Sequence, residues 1–92
     1  MDRYKKGLAE YVAALAKSSI ETNTAGDQTR YQFHLAQAAL MFLAIEKDDS
    51  VEKLKQIIGM VKQVYRLNPL PGPAGKAATD AFMVFVTLVG SG

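Results

Sequence analysis

The chain has 92 residues, of which 49% are hydrophobic and 22% charged, and its formal net charge is +2 at pH 7. This length predicts one small domain, residues 1–92, and the composition is too apolar for intrinsic disorder. Eleven basic and nine acidic residues are spread along the chain, which makes a nucleic-acid partner unexpected. With no cysteine and one histidine, the sequence predicts no metal site and no cofactor, and it fits a cytoplasmic location.

The N-terminal segment predicts an amphipathic helix from about Asp2 to Thr22, because its apolar residues recur at helical intervals. They are Tyr4, Leu8, Tyr11, Val12 and Leu15. Glu10 interrupts the apolar stretch, so a secretory signal peptide is not expected here. The stretch ETNTAGD is rich in turn-forming residues and ends the segment.

A second helix is predicted from about Asp27 to Lys47, and fifteen consecutive residues within it contain no Asp, Glu, Lys or Arg. One apolar face contains Tyr31, Leu35, Ala38, Phe42 and Ile45, and the other contains Phe33, Ala36, Leu40 and Leu43. A narrow polar stripe separates them, formed by Arg30, His34, Gln37 and Met41. A helix that is apolar on most sides predicts a central position in a bundle or an oligomer interface, with the stripe left free for solvent or a partner.

The third predicted helix runs from Val51 to Leu67, where Asn68-Pro69 ends it. One face is apolar, with Val51, Leu54, Ile57, Ile58, Val61, Val64 and Tyr65. Lys55, Lys62 and Arg66 form a basic stripe on another side. Such a stripe is a candidate contact face for an acidic protein surface or nucleic acid, although a solvated helix face is the favoured interpretation.

A corner rich in proline and glycine follows at residues 68–75, and the segment after it is ambiguous. Ala78, Phe82, Phe85 and Val89 share one helical face, but FMVFVTLV over residues 82–89 also fits a buried strand. A lone strand would need a second copy of the protein to pair its backbone, so a fourth helix is favoured. The sequence therefore predicts an all-α fold, a small antiparallel four-helix bundle with the second helix at its centre.

The sequence His34-Leu35-Ala36-Gln37-Ala38 resembles the phospho-acceptor motif of histidine phosphotransfer domains, in which lysine and glycine follow the histidine at the third and fourth positions. The resemblance implies a four-helix signalling domain in which an exposed His34 accepts a phosphoryl group from a receiver aspartate. Gln37 stands at the lysine position and supplies no positive charge. A structural histidine on the polar stripe is therefore the favoured interpretation.

The strongest functional indication is the excess of apolar surface, because the second and fourth segments carry more of it than one small bundle is expected to bury. This predicts a non-catalytic, regulatory interaction module that acts as a homodimer or with a protein partner. The expected anchors are Phe82, Phe85 and Val89, with Phe33 and Leu40 as counterparts. A toxin-neutralising or membrane-surface protein is a further alternative, and the fifteen-residue run is too short to span a bilayer.

Overall fold

A computed structural model of the chain describes residues 2–21, 25–47 and 51–91. The helices are α1 (Asp2–Glu21), α2 (Ala25–Glu46), α3 (Val51–Leu67) and α4 (Gly72–Ser91). None of the described residues forms a strand, so the predicted all-α bundle is confirmed and the ambiguous last segment is a helix. A helix satisfies its own backbone hydrogen bonds, which a strand without a neighbour does not.

The four helices form an antiparallel ring in which each one packs against two others. Near the end of α1, the Ser19 hydroxyl donates a hydrogen bond to Gln28 Oε1 near the start of α2, at 3.1 Å. Near the start of α1, Gly7 lies against Leu88 near the end of α4. The packing is most extensive between α1 and α4 and least extensive between α3 and α4. The prediction that the second helix is central is therefore wrong, since among the described residues α1 packs more extensively against its two neighbours than α2 does.

The hydrophobic core is richest where α1 meets α4. Leu8, Leu15, Phe82 and Phe85 are completely buried there, and the Tyr11 and Phe82 rings lie 5.2 Å apart between their centroids. The apolar faces predicted for the first and last helices thus cover each other. This pairing absorbs much of the apolar surface that the sequence assigns to the fourth segment.

The corner between α3 and α4 is shorter than the predicted 68–75, because α4 already begins at Gly72. Gly72 has a φ of 74°, a backbone conformation that glycine adopts without steric cost. A Cβ atom on Gly75 would lie 2.7 Å from the carbonyl carbon of Leu70, so only glycine fits this close approach. Pro73 falls in the first turn of α4, where its missing N–H is tolerated.

Candidate functional site

His34 lies inside the protein and not on an open polar stripe. Its residue surface is 1% exposed, and its ring stacks on Tyr65 of α3 with centroids 4.1 Å apart and an interplanar angle of 7°. Met41 of the same stripe is also fully buried. The prediction that this side of α2 stays free for solvent or a partner is therefore wrong, because α3 packs there.

The surroundings of His34 keep its imidazole neutral. Burial lowers the pKa of His34 to about 4, so the ring carries no charge at pH 7. Within the described part of the chain, neither His34 Nδ1 nor Gln37 Oε1 has a hydrogen-bond partner. A phospho-acceptor has to reach the aspartate of another protein, and a ring stacked beneath α3 does not present itself in that way. The burial thus removes the exposure on which the phosphotransfer interpretation of His34 depends.

A second group of buried polar atoms belongs to tyrosines in the middle of the bundle. The hydroxyls of Tyr11 and Tyr65 share a hydrogen bond of 2.5 Å that connects α1 with α3, and Tyr31 is hydrogen-bonded to Ser18. Burial raises the pKa of Tyr11 and of Tyr65 above the usual range. Both hydroxyls are therefore neutral at pH 7. Their hydrogen bond joins α1 to α3 across the core, and neutral hydroxyls of this kind do not act as bases at pH 7.

An exposed apolar surface lies along the outer side of α2 and α3, and we name it the α2–α3 face. It consists of Phe33, Ala36, Leu40 and Leu43 from α2 with Ile57 from α3, which borders the same pocket as Leu40 and Leu43, and helical spacing adds Met60 three residues after Ile57. Leu40 is 48% exposed, Leu43 53% and Met60 45%, whereas Phe33 and Ile57 are partly buried. The second apolar face predicted for the α2 sequence is therefore uncovered in the single chain.

Two surface pockets mark the ends of the α2–α3 face. One has a volume of about 320 Å³ and is bordered by Leu40, Leu43, Ala44, Lys47, Lys53 and Ile57. The other has about 180 Å³ and is bordered by Thr29, Arg30, Phe33, His34, Val64 and Asn68. The distance along α2 from Phe33 to Leu43 is about 15 Å at 1.5 Å per residue. The face is thus several helical turns long and carries a depression at each end.

The five residues predicted to contact a partner lie in two different environments, the core and the surface. Phe82, Phe85 and Val89 have exposed fractions of 0%, 0% and 2%, so they are core residues of this chain and not surface anchors. Phe33 and Leu40, predicted as their counterparts, do reach the α2–α3 face. Met60 belongs to the same face and was missed by sequence reasoning. Its position three residues after Ile57, on the same side of α3, is the signal that could have identified it.

The predicted basic stripe is exposed on α3, with Lys55, Lys62 and Arg66 all at the surface. Lys62 and Arg66 lie at the mouth of a crevice between α3 and α4. Its volume is about 350 Å³, and its other lining residues are Tyr65, Thr79, Phe82 and Met83. The stripe therefore borders an apolar opening into the core, which the sequence pattern of α3 alone does not indicate.

Comparison of the chain with protein-family models, curated proteins and solved structures finds no match. The described helices include none that is long and apolar enough to cross a membrane. Across residues 2–21, 25–47 and 51–91 there is no group of three or more side chains that could hold a metal ion.

Proposed function

We propose that the protein is a non-catalytic helical interaction module that forms a homodimer through the α2–α3 face. The observation that supports this proposal is the half-exposure of Leu40, Leu43 and Met60 on one side of the bundle. Covering apolar surface stabilises an assembly by about 25 cal/mol per Å² removed from water. Contiguous apolar patches of this kind are typical of interaction sites.

The charges around the α2–α3 face favour a second copy as the occupant. At one end, the Arg30 guanidinium lies 3.4 Å from a carboxylate oxygen of Asp27, which offsets its charge. At the other end, Lys47 and Lys53 border the pocket, and Glu52 is adjacent to Lys53 in the sequence. Because Arg30 is offset by Asp27 at the first end and the whole chain carries only +2, two copies do not repel each other strongly. A two-fold axis then places each apolar residue against the same face of its partner.

Association covers the α2–α3 face and dissociation exposes it. This change in exposure gives the dimer a regulatory function. The absence of cysteine supports a reducing, cytoplasmic setting for this equilibrium. A toxin-neutralising or membrane-surface role remains a sequence-based alternative that no described feature favours.

Sedimentation equilibrium across micromolar concentrations tests the dimer. We expect the apparent mass to rise towards twice the chain mass of 10.0 kDa as concentration increases. Leu40→Glu combined with Leu43→Glu places two like charges on the face, and we expect this variant to remain a monomer with unchanged helicity by circular dichroism. Both side chains are already about half exposed, so the substitutions leave the core intact.

Val84→Glu is the matched control, because Val84 is 66% exposed on α4 and does not belong to the α2–α3 face. We expect this variant to dimerise like the unmodified chain. The proposal is contradicted if the unmodified chain stays monomeric throughout. It is equally contradicted if Val84→Glu abolishes the dimer while the α2 double variant retains it.

A further inference from the structure

The crevice between α3 and α4 combines an apolar interior with a positively charged mouth. Tyr65 and Phe82 are buried residues that line it, with ring centroids 5.1 Å apart, and Thr79 and Met83 complete the α4 side. This is also where two adjacent helices pack least extensively against each other. Of the two rings, Tyr65 is 7% exposed and Phe82 has no exposed surface, so the crevice ends at Tyr65.

Two cations stand at this opening without acidic neighbours. Lys62 and Arg66 are four residues apart on α3, so their side chains lie side by side. Neither forms an ion pair with any residue that the structure describes. No acidic residue lines the crevice within the described ranges. The pair is thus available to an anion from solution, which two cations hold better than one.

The dimensions of the crevice favour a small molecule over a helix of another protein. Its lining covers residues 62–66 of α3 and 79–83 of α4, about one helical turn on each side. A docked helix would need a groove of several turns with anchor positions along it. The volume of about 350 Å³ instead falls in the range of ligand pockets, roughly 300–1,000 Å³.

We infer that the α3–α4 crevice binds a small molecule with an apolar chain and a carboxylate head. The chain packs against Met83, which is 43% exposed, and against the exposed edge of Tyr65, and it displaces water from both. Met83 adjusts to the chain, since its unbranched side chain fits irregular shapes. The carboxylate lies at the mouth and accepts hydrogen bonds from Lys62 and Arg66. This site is separate from the α2–α3 face, so its test does not depend on the homodimer.

Titration of the ¹⁵N-labelled protein with decanoate, followed by amide NMR, tests this inference. We expect decanoate to shift the amide signals of residues 62–66 and 79–83 and to leave those of residues 36–43 in place. Decyltrimethylammonium carries the same ten-carbon chain with a positive head. We expect it to produce no such shifts at equal concentration, because Lys62 and Arg66 repel it.

Lys62→Glu combined with Arg66→Glu should weaken decanoate binding about tenfold, as expected when two exposed ion pairs become repulsive. Lys6→Glu combined with Lys17→Glu changes the net charge equally on α1 and should bind decanoate like the unmodified chain. The inference is overturned if both ten-carbon probes bind equally, if the shifts fall outside the crevice, or if charge reversal at the mouth has no effect. The comparison of the two probes on the unmodified chain stands even if a charge-reversed variant loses helicity.

Discussion

The α1–α4 pair and helix α3 differ in how completely they are covered. Between α1 and α4, Leu8, Leu15 and Phe85 are fully buried and the packing is the most extensive in the bundle. Helix α3 instead borders one pocket together with α2 and another together with α4, and its Met60 side chain is 45% exposed. Stability therefore resides mainly in the first pair. The surfaces available for binding lie on both sides of α3.

The largest expected effect comes from Phe85→Ala, which disrupts the packing between α1 and α4. Phe85 is fully buried at the α1–α4 contact, so its truncation leaves a cavity. We expect the free energy of unfolding to fall by about 3–5 kcal/mol. Chemical denaturation monitored by circular dichroism measures this change.

Val84→Ala provides the comparison, because Val84 precedes Phe85 and is 66% exposed. We expect a change within about 0.5 kcal/mol, as is usual for surface positions. Equal losses for the two variants would show that α4 does not present its Phe85 side to α1.

The next largest effect is expected at Gly75, in the corner that leads into α4. An added methyl group would meet the Leu70 carbonyl carbon at 2.7 Å, so Gly75→Ala should cost about 1–3 kcal/mol of folding stability. Gly59→Ala on α3 should have the opposite sign, because no atom lies within 4 Å of the added carbon. We expect it to stabilise the protein by about 0.5–1 kcal/mol through better helix propensity. Thermal unfolding of both variants measures the contrast, and destabilisation by Gly59→Ala would contradict the open surface described for α3.

A smaller effect should follow from the titration of His34, which lies between α2 and α3. Burial lowers the pKa of His34 to about 4, while an unfolded histidine titrates near 6.5. Between these values the unfolded state binds more protons, so stability is complete above pH 6.5 and declines as the pH falls towards 4. We expect the free energy of unfolding to decline steadily over this interval. Urea unfolding at a series of pH values measures it.

His34→Phe is the control for this pH dependence. It retains an aromatic ring beside Tyr65 and removes the titrating group, as well as the unpaired Nδ1 atom. We expect a shallower decline in stability between pH 6.5 and 4 for this variant. Equal losses of stability in the two proteins over that range would show that the pKa of His34 is not lowered in the folded state.

The sequence predicted the helices well, because local signals determine them. The third helix ends at Leu67 as expected from Asn68-Pro69, and the first ends within one residue of the predicted Thr22. The face shared by Phe82, Phe85 and Val89 was also recognised from helical spacing. These inferences depend on periodicity and helix-breaking residues, which operate within one segment.

The position of each face in the bundle could not be predicted in the same way. Periodicity shows that residues share a face, but not which neighbour covers it. Phe85 was therefore expected at a partner interface although α1 covers it, and His34 was expected near solvent although α3 covers it. The α2 sequence is apolar around most of its circumference, so it offers no single direction for the core. Tertiary packing decided which of its two faces remained open.

The most direct test of the proposed homodimer is an isotope-filtered NMR experiment on a mixture of labelled and unlabelled chains. Contacts between copies appear there as intermolecular nuclear Overhauser effects. We expect them from the methyl groups of Leu40, Leu43 and Met60, and not from Val84 or Ile20, although Val84 is 66% and Ile20 82% exposed. Intermolecular contacts confined to Val84 or Ile20, or none at any concentration, would contradict self-association through the α2–α3 face.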